Sequence, residues 1–144
     1  MRIRCVPLPG AALAALFLAG LAACTHSGSD PNGDVYDAWR TQRSRVEVSA
    51  SGTIVRLLGD RVGPSGEHTG FLLHLRGAAG HGLTVRVEDN VDLTGRLELV
   101  AGADVEVRGE YIYGTCGGVI HYTHRDPRGR HAAGYVRTGG RFYQ

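Results

Sequence analysis

The sequence predicts an all-β protein: a small closed barrel of about five strands, with a short N-terminal helix and a C-terminal hairpin. Three observations carry that prediction. Apolar and polar residues alternate over several segments, 22 glycines punctuate the 144 residues, and turn signals recur about every ten residues. Closure is expected on grounds of size, because an open sheet this small would leave two edges free to pair with other chains.

The chain begins with a leader. Met1-Arg2-Ile3-Arg4 is positively charged, and Ala11 to Ala23 is an apolar run of small residues, Leu and Phe. The run is short for a membrane span and reads as the core of a signal peptide. It ends in Leu21-Ala22-Ala23-Cys24, which resembles the lipobox of bacterial lipoproteins. That resemblance implies cleavage after residue 23, lipidation of Cys24 and attachment to a membrane through the acyl chains. His26 stands where an inner-membrane retention signal would place Asp, so a host with two membranes is expected to carry the protein on its outer membrane, facing the periplasm. The expected division is a signal peptide over 1–23, a lipid-anchored flexible tether over 24–33 and the barrel domain over 34–144.

Within the domain, Asp34 is placed to cap a helix running to about Arg43, with Val35 and Trp39 on its packing face. Val46, Val48 and Ala50 alternate with polar residues, and Gly52 suggests a bulge or bend before Ile54 to Leu58. A turn is expected over Gly59 to Gly66. Phe71, Leu73 and Leu75 then point inward with His74 outward, and a second turn is expected over Gly77 to Gly82. Leu83, Val85 and Val87 form the next inward set, followed by Val105, Val107, Tyr111 and Tyr113. Val119 to Tyr122 follows Gly117-Gly118, and the segments flanking Gly139-Gly140 fit a terminal hairpin. A bent first strand, a meander of three and a connection to a last pair best fit an OB-fold. The link from Asn90 to Gly102 is short for the helix often found there.

Charge and cysteine usage narrow the function classes. All 16 basic residues are arginine; Arg2 and Arg4 lie in the leader, which leaves 14 arginines against 14 acids. A neutral domain argues against generic nucleic-acid binding, which requires several phosphates to be neutralised at once. The C-terminal segment is different: Arg125, Arg128, Arg130, Arg137 and Arg141 face one acid, Asp126. Cys116 has no partner once the leader is removed and Cys24 is acylated, so it reads as a turn residue. Asn90 and Asp92 lack the spacing of a calcium loop and read as turn residues too.

Two longer patterns carry a family resemblance. The first comprises Gly52-x-x-Val55, Asp60, His68, Phe71-x-Leu73-x-Leu75, Val85-x-Val87-x-x-Asn90-x-Asp92-Leu93 and Gly102 to Val105-x-Val107-x-Gly109-Glu110-Tyr111. The second is Gly117-Gly118-Val119-Ile120-His121-Tyr122-Thr123-His124-x-Asp126-Pro127-x-Gly129-x-His131. Together, over about residues 46–144, they resemble a family of uncharacterised bacterial envelope proteins, a domain of unknown function. The resemblance implies a compact β-barrel and no particular activity. The commonest form of the motif has Trp where this chain has Tyr122.

The candidate site is the run from Ile120 to His131. His121, His124, Asp126 and His131 are metal-ligand types that would suit zinc or a similar divalent ion, and His68 would add another donor. On a continuous strand, however, His121 and His124 have opposite parity, so a shared ion requires the chain to bend near Tyr122. Arg125, Arg128 and Arg130 offer forked donors for a small anionic ligand, and Tyr111, Tyr113 and Tyr122 could stack on it. A plainer reading makes Asp126-Pro127-x-Gly129 a turn in which Asp126 pairs with Arg128 or Arg130 and ties the loop down. No Ser or Cys sits in a nucleophile-elbow pattern, and no glycine-rich phosphate loop precedes a helix. The reading favoured is a lipid-anchored envelope module that binds a ligand or serves a structural role, with no catalytic residue assigned. The alternative is a metal-dependent hydrolase of phosphoesters or other anions acting through His121, His124, Asp126 and His131.

Overall fold

The structure is a computed structural model that describes residues 30–77 and 82–144. The leader, Cys24 and most of the tether lie outside the described residues, as does most of the turn expected at Gly77 to Gly82. Nine elements follow in order: α1 (Gly33–Arg40), β1 (Val46–Gly63), β2 (Gly66–Leu75), β3 (Leu83–Asn90), α2 (Val91–Thr94), β4 (Asp104–Ile112), β5 (Val119–His121), β6 (Tyr135–Thr138) and β7 (Arg141–Tyr143). Among the described residues, no helix is long and apolar enough to cross a membrane.

Strands β1 to β5 form a ring. The order is β1-β2-β3-β5-β4, and β1 also pairs with β4, so the sheet closes on itself. All pairs in the ring are antiparallel except β3 with β5. This is the OB-fold order, and closure leaves no open edge within the ring. Strand β6 pairs with β4 and β7 with β6, which places the predicted terminal hairpin as an extension beside the barrel.

The length of β1 makes the closure possible. Its first half, Val46 to Thr53, pairs with β4, and from Gly52 onward it pairs with β2. Gly52 therefore sits where the strand passes from one neighbour to the other, and a Cβ there would stand 2.2 Å from the carbonyl oxygen of His74. The glycine answers this crowding. The register shifts fall later, between Ile54 and Arg56 and between Leu57 and Gly59, so the bulge expected at Gly52 is displaced along the strand. The expected turn over Gly59 to Gly66 is also mostly strand. Beyond the barrel, β1 and β2 continue as a two-stranded hairpin, and only Pro64 and Ser65 separate them.

The alternation predicted for β2, β3 and β4 is present. Phe71, Leu73, Leu75, Val85, Val87, Val107 and Tyr111 are fully buried, and each large apolar side chain removed from water contributes about 1.5–3 kcal/mol. Helix α1 adds Val35 and Ala38 to the same core, with Trp39 packed against it. Its N-cap is Asn32 rather than Asp34, which lies in the first turn. Asn32, expected in a free tether, is buried because its side chain links β1 to the residue that follows β2: Nδ2 donates to Arg76 O, and Oδ1 accepts from Ser51 N at 2.8 Å. The link after β3 does hold a helix, but only the single turn α2. Asn90 caps it, accepting from Asp92 N.

Candidate functional site at the barrel rim

Strand β5 ends at His121 because Tyr122 adopts φ +55°. A bulky residue in the left-handed region costs roughly 1–2 kcal/mol, so neighbouring contacts must hold it there. Thr123, fully buried, provides one: its hydroxyl donates to Asp89 Oδ1 at 2.6 Å and lies 3.3 Å from the carbonyl of Glu88. Gly134 provides another, its N–H donating to His124 O at 3.0 Å. A Cβ on Gly134 would meet Tyr122 O at 2.1 Å and Arg108 O at 2.5 Å, so only glycine allows the returning chain to lie this close. The bend that the parity of His121 and His124 demanded is thus made at Tyr122.

The bend redistributes the predicted ligands. The Tyr122 ring lies between two imidazoles, stacked on His121 at 4.1 Å and on His131 at 4.2 Å between centroids. His121 Nε2 is 3.2 Å from Glu110 Oε1 on β4. His124 is buried and meets His131 edge to face at 5.0 Å. Asp126 closes the turn: Oδ1 accepts from Arg128 N at 2.8 Å, and Oδ2 accepts from Arg130 N at 2.5 Å and Arg130 Nε at 3.3 Å. The Arg128 N–H and then the Arg130 donors hold its carboxyl down at about 2. Both oxygens are engaged in the turn, which leaves the carboxylate poorly placed to act as a ligand or base. Among the described residues, no three His, Cys, Asp or Glu side chains assemble into a metal site. The four-group set of His121, His124, Asp126 and His131 is therefore not brought together, because Tyr122 separates His121 from His131 and the turn engages Asp126.

What the fold does bring together is a basin of about 1190 Å³ at one end of the barrel. The site run forms one wall and the tip of the β1–β2 hairpin, with Ser65 and His68, forms another. His121, Tyr122, His124, Asp126, Arg128, Arg130 and His131 all line it, whereas Arg125 is exposed outside it. Among the described residues, Arg125 and Arg128 enter no salt bridge. Tyr111 and Tyr113 are not available for stacking in the basin. Tyr111 is fully buried, donates to Gly117 O at 2.9 Å and is pushed up to about 12 by that burial, and Tyr113 packs on the core. A second concavity, near Asn32 and Gly139, lies where the N-terminal segment docks and contains none of the predicted residues.

Asp89 is the site residue that sequence reasoning missed. It is fully buried at the end of β3, and burial raises its pKa against the opposing pull of two hydroxyl donors, Thr123 and Thr94. The signal was present: Leu83, Val85 and Val87 face inward, so the same parity carries Asp89 inward. A carboxylate on the core face needs partners, and here they come from the site run and from α2.

Comparison with known proteins yields a family. Residues 17–144 match the family described as protein of unknown function (DUF3465). No curated protein matches the chain. Among solved structures, the chain is similar to the small single-stranded DNA-binding protein from Streptomyces coelicolor, at 21% identity and a TM-score of 0.44, over 53% of this chain and 84% of that one.

Proposed function

The chain belongs to the family of proteins of unknown function DUF3465, and from that premise we propose that it is a lipid-anchored envelope module whose barrel presents the rim basin to a small anionic ligand with a planar part. One observation carries this reading: Tyr122, at φ +55°, is stacked between His121 and His131 on the wall of a basin that also holds Arg128 and Arg130. Backbone strain of this kind persists where surrounding contacts over-determine it, and it concentrates at ligand sites. An aromatic stack offers a face to a planar group, and guanidinium forks match carboxylate or phosphate oxygens. Arg128 supplies such a fork without a carboxylate partner among the described residues.

Calorimetric titration of the full-length protein in detergent micelles, with nucleoside monophosphates, phosphosugars and aromatic carboxylates at two salt concentrations, tests the reading. Saturable binding is expected that weakens with salt, disappears in Tyr122→Ala and falls about tenfold in Arg128→Ala, the loss of one charge-assisted contact. Absence of binding to every probe at low salt would end the proposal.

A further inference from the structure

Three histidines of the basin share one feature. His68 Nδ1 is 3.0 Å from Gly66 O, His124 Nδ1 is 3.0 Å from Arg125 O, and His131 Nδ1 is 2.8 Å from Ala132 O. A carbonyl can only accept, so each Nδ1 carries the proton and each neutral imidazole keeps its lone pair on Nε2. This is how metal-binding histidines are usually prepared, with the far nitrogen anchored to a carbonyl or carboxylate so that tautomer and ring orientation are set in advance. His121 differs, because its Nε2 faces Glu110.

Two of the three prepared rings are neighbours. The centroids of His124 and His131 lie 5.0 Å apart with their planes at 81°. Two imidazoles bound to one tetrahedral ion, at metal–nitrogen distances of about 2.0–2.1 Å, place their centroids roughly 5 Å apart. Both rings line the basin, where water can complete the coordination. We infer that His124 and His131 form a two-histidine site for a divalent first-row transition ion, bound through their Nε2 atoms with the remaining positions open to water or an exogenous ligand. Asp126 and His121 are not among its ligands, which distinguishes this site from the four-group set that composition suggests. The inference does not depend on the anionic ligand, since the ion is held by imidazoles alone.

The test uses full-length protein in detergent micelles, carrying no affinity tag, stripped with chelator and titrated with zinc chloride in a buffer free of coordinating anions. One equivalent is expected to bind in the parent protein and in Cys116→Ser. His131→Ala should weaken that binding at least about tenfold, as loss of a metal ligand or its support does. His124 is buried, so His124→Gln is paired with a circular dichroism spectrum, and a folded His124→Gln protein should lose zinc to the same extent. Nitrogen-15 spectra of the imidazoles give a second readout: Nδ1–H tautomers for His124 and His131 before zinc, and shifts confined to their Nε2 atoms after it. Failure of the parent protein to bind zinc would overturn the inference. So would binding that survives His131→Ala or follows Cys116. Neither result would bear on the anion titration, which is performed without metal.

Discussion

Thr123 Oγ1 donates a 2.6 Å hydrogen bond to Asp89 Oδ1, and both side chains are fully buried. The residues are 34 apart in sequence, so this contact fastens the site run to the barrel. Thr123→Val keeps the shape but leaves Asp89 with Thr94 as its remaining side-chain donor. A buried polar group deprived of its partner costs about 1–3 kcal/mol, and urea unfolding should show a loss of that size. Thr123→Ser should recover most of it.

Gly134→Ala addresses the same docking from the other side. The added methyl would strike backbone oxygens of Tyr122 and Arg108, which cannot swing away as a flexible side chain can. A destabilisation of about 1–3 kcal/mol is expected, as for overpacked interiors. Loss of the His121–Tyr122–His131 stack should accompany it, seen as a change in the Tyr122 ring resonances.

The Asp126 turn yields a local prediction. Removing the carboxylate in Asp126→Ala frees the Arg128 and Arg130 N–H groups that it holds. Hydrogen exchange at those two amides should accelerate at least about tenfold, while amides of β2 and β3 stay protected, because opening would be confined to the turn. Uniform acceleration across the barrel would contradict this.

The hairpin beside the barrel should respond to pH at both extremes. Tyr135 OH donates to Glu106 Oε1 at 2.5 Å, and Arg137 pairs with the same carboxylate. The Tyr135 hydrogen bond, with support from Arg137, holds Glu106 below 4.5, its ordinary value. A folded-state pKa that is depressed means stability present above 4.5 and lost as pH falls below it. The same bond pushes Tyr135 above 10; a phenol must stay protonated to donate, so its contribution is present below 10 and lost as pH rises past it. Tyr135→Phe should flatten both limbs of a stability–pH curve. An unchanged profile would show that the bond is not linked to folding.

Cys24→Ser tests the proposed lipid anchor. Acyl chains hold a protein at a membrane by about 0.8 kcal/mol per buried methylene, so the parent protein should incorporate labelled palmitate and enter the detergent phase on Triton X-114 partition. The variant should do neither.

Much of the barrel was legible because its strands obey a local rule. Phe71, Leu73 and Leu75, or Leu83, Val85 and Val87, announce a buried face through a period of two that needs no knowledge of the partner strand. Glycine was legible as a marker of constraint but not of its kind. Gly52 looked like a bulge, yet it is a place where a side chain would meet the carbonyl of His74. The hairpin of β1 and β2 has the sequence of a long turn, because Gly59, Asp60, Gly63 and Pro64 have the composition of one.

By itself the sequence determined the all-β class, the inward faces of β2 to β4, the terminal hairpin, membership of the family and the run of residues that lines the basin. The tertiary structure decided which of those residues meet. Composition placed His121, His124, Asp126 and His131 in one group, but their directions follow from the reversal at Tyr122, from Thr123 reaching Asp89 and from Gly134 lying against Tyr122. These are contacts between distant segments, and no local period encodes them. The same reversal inserts Tyr122 between His121 and His131 and leaves His124 beside His131. Residue types propose a chemistry; the hydrogen bonds that fold the run onto the barrel decide which of those residues become neighbours.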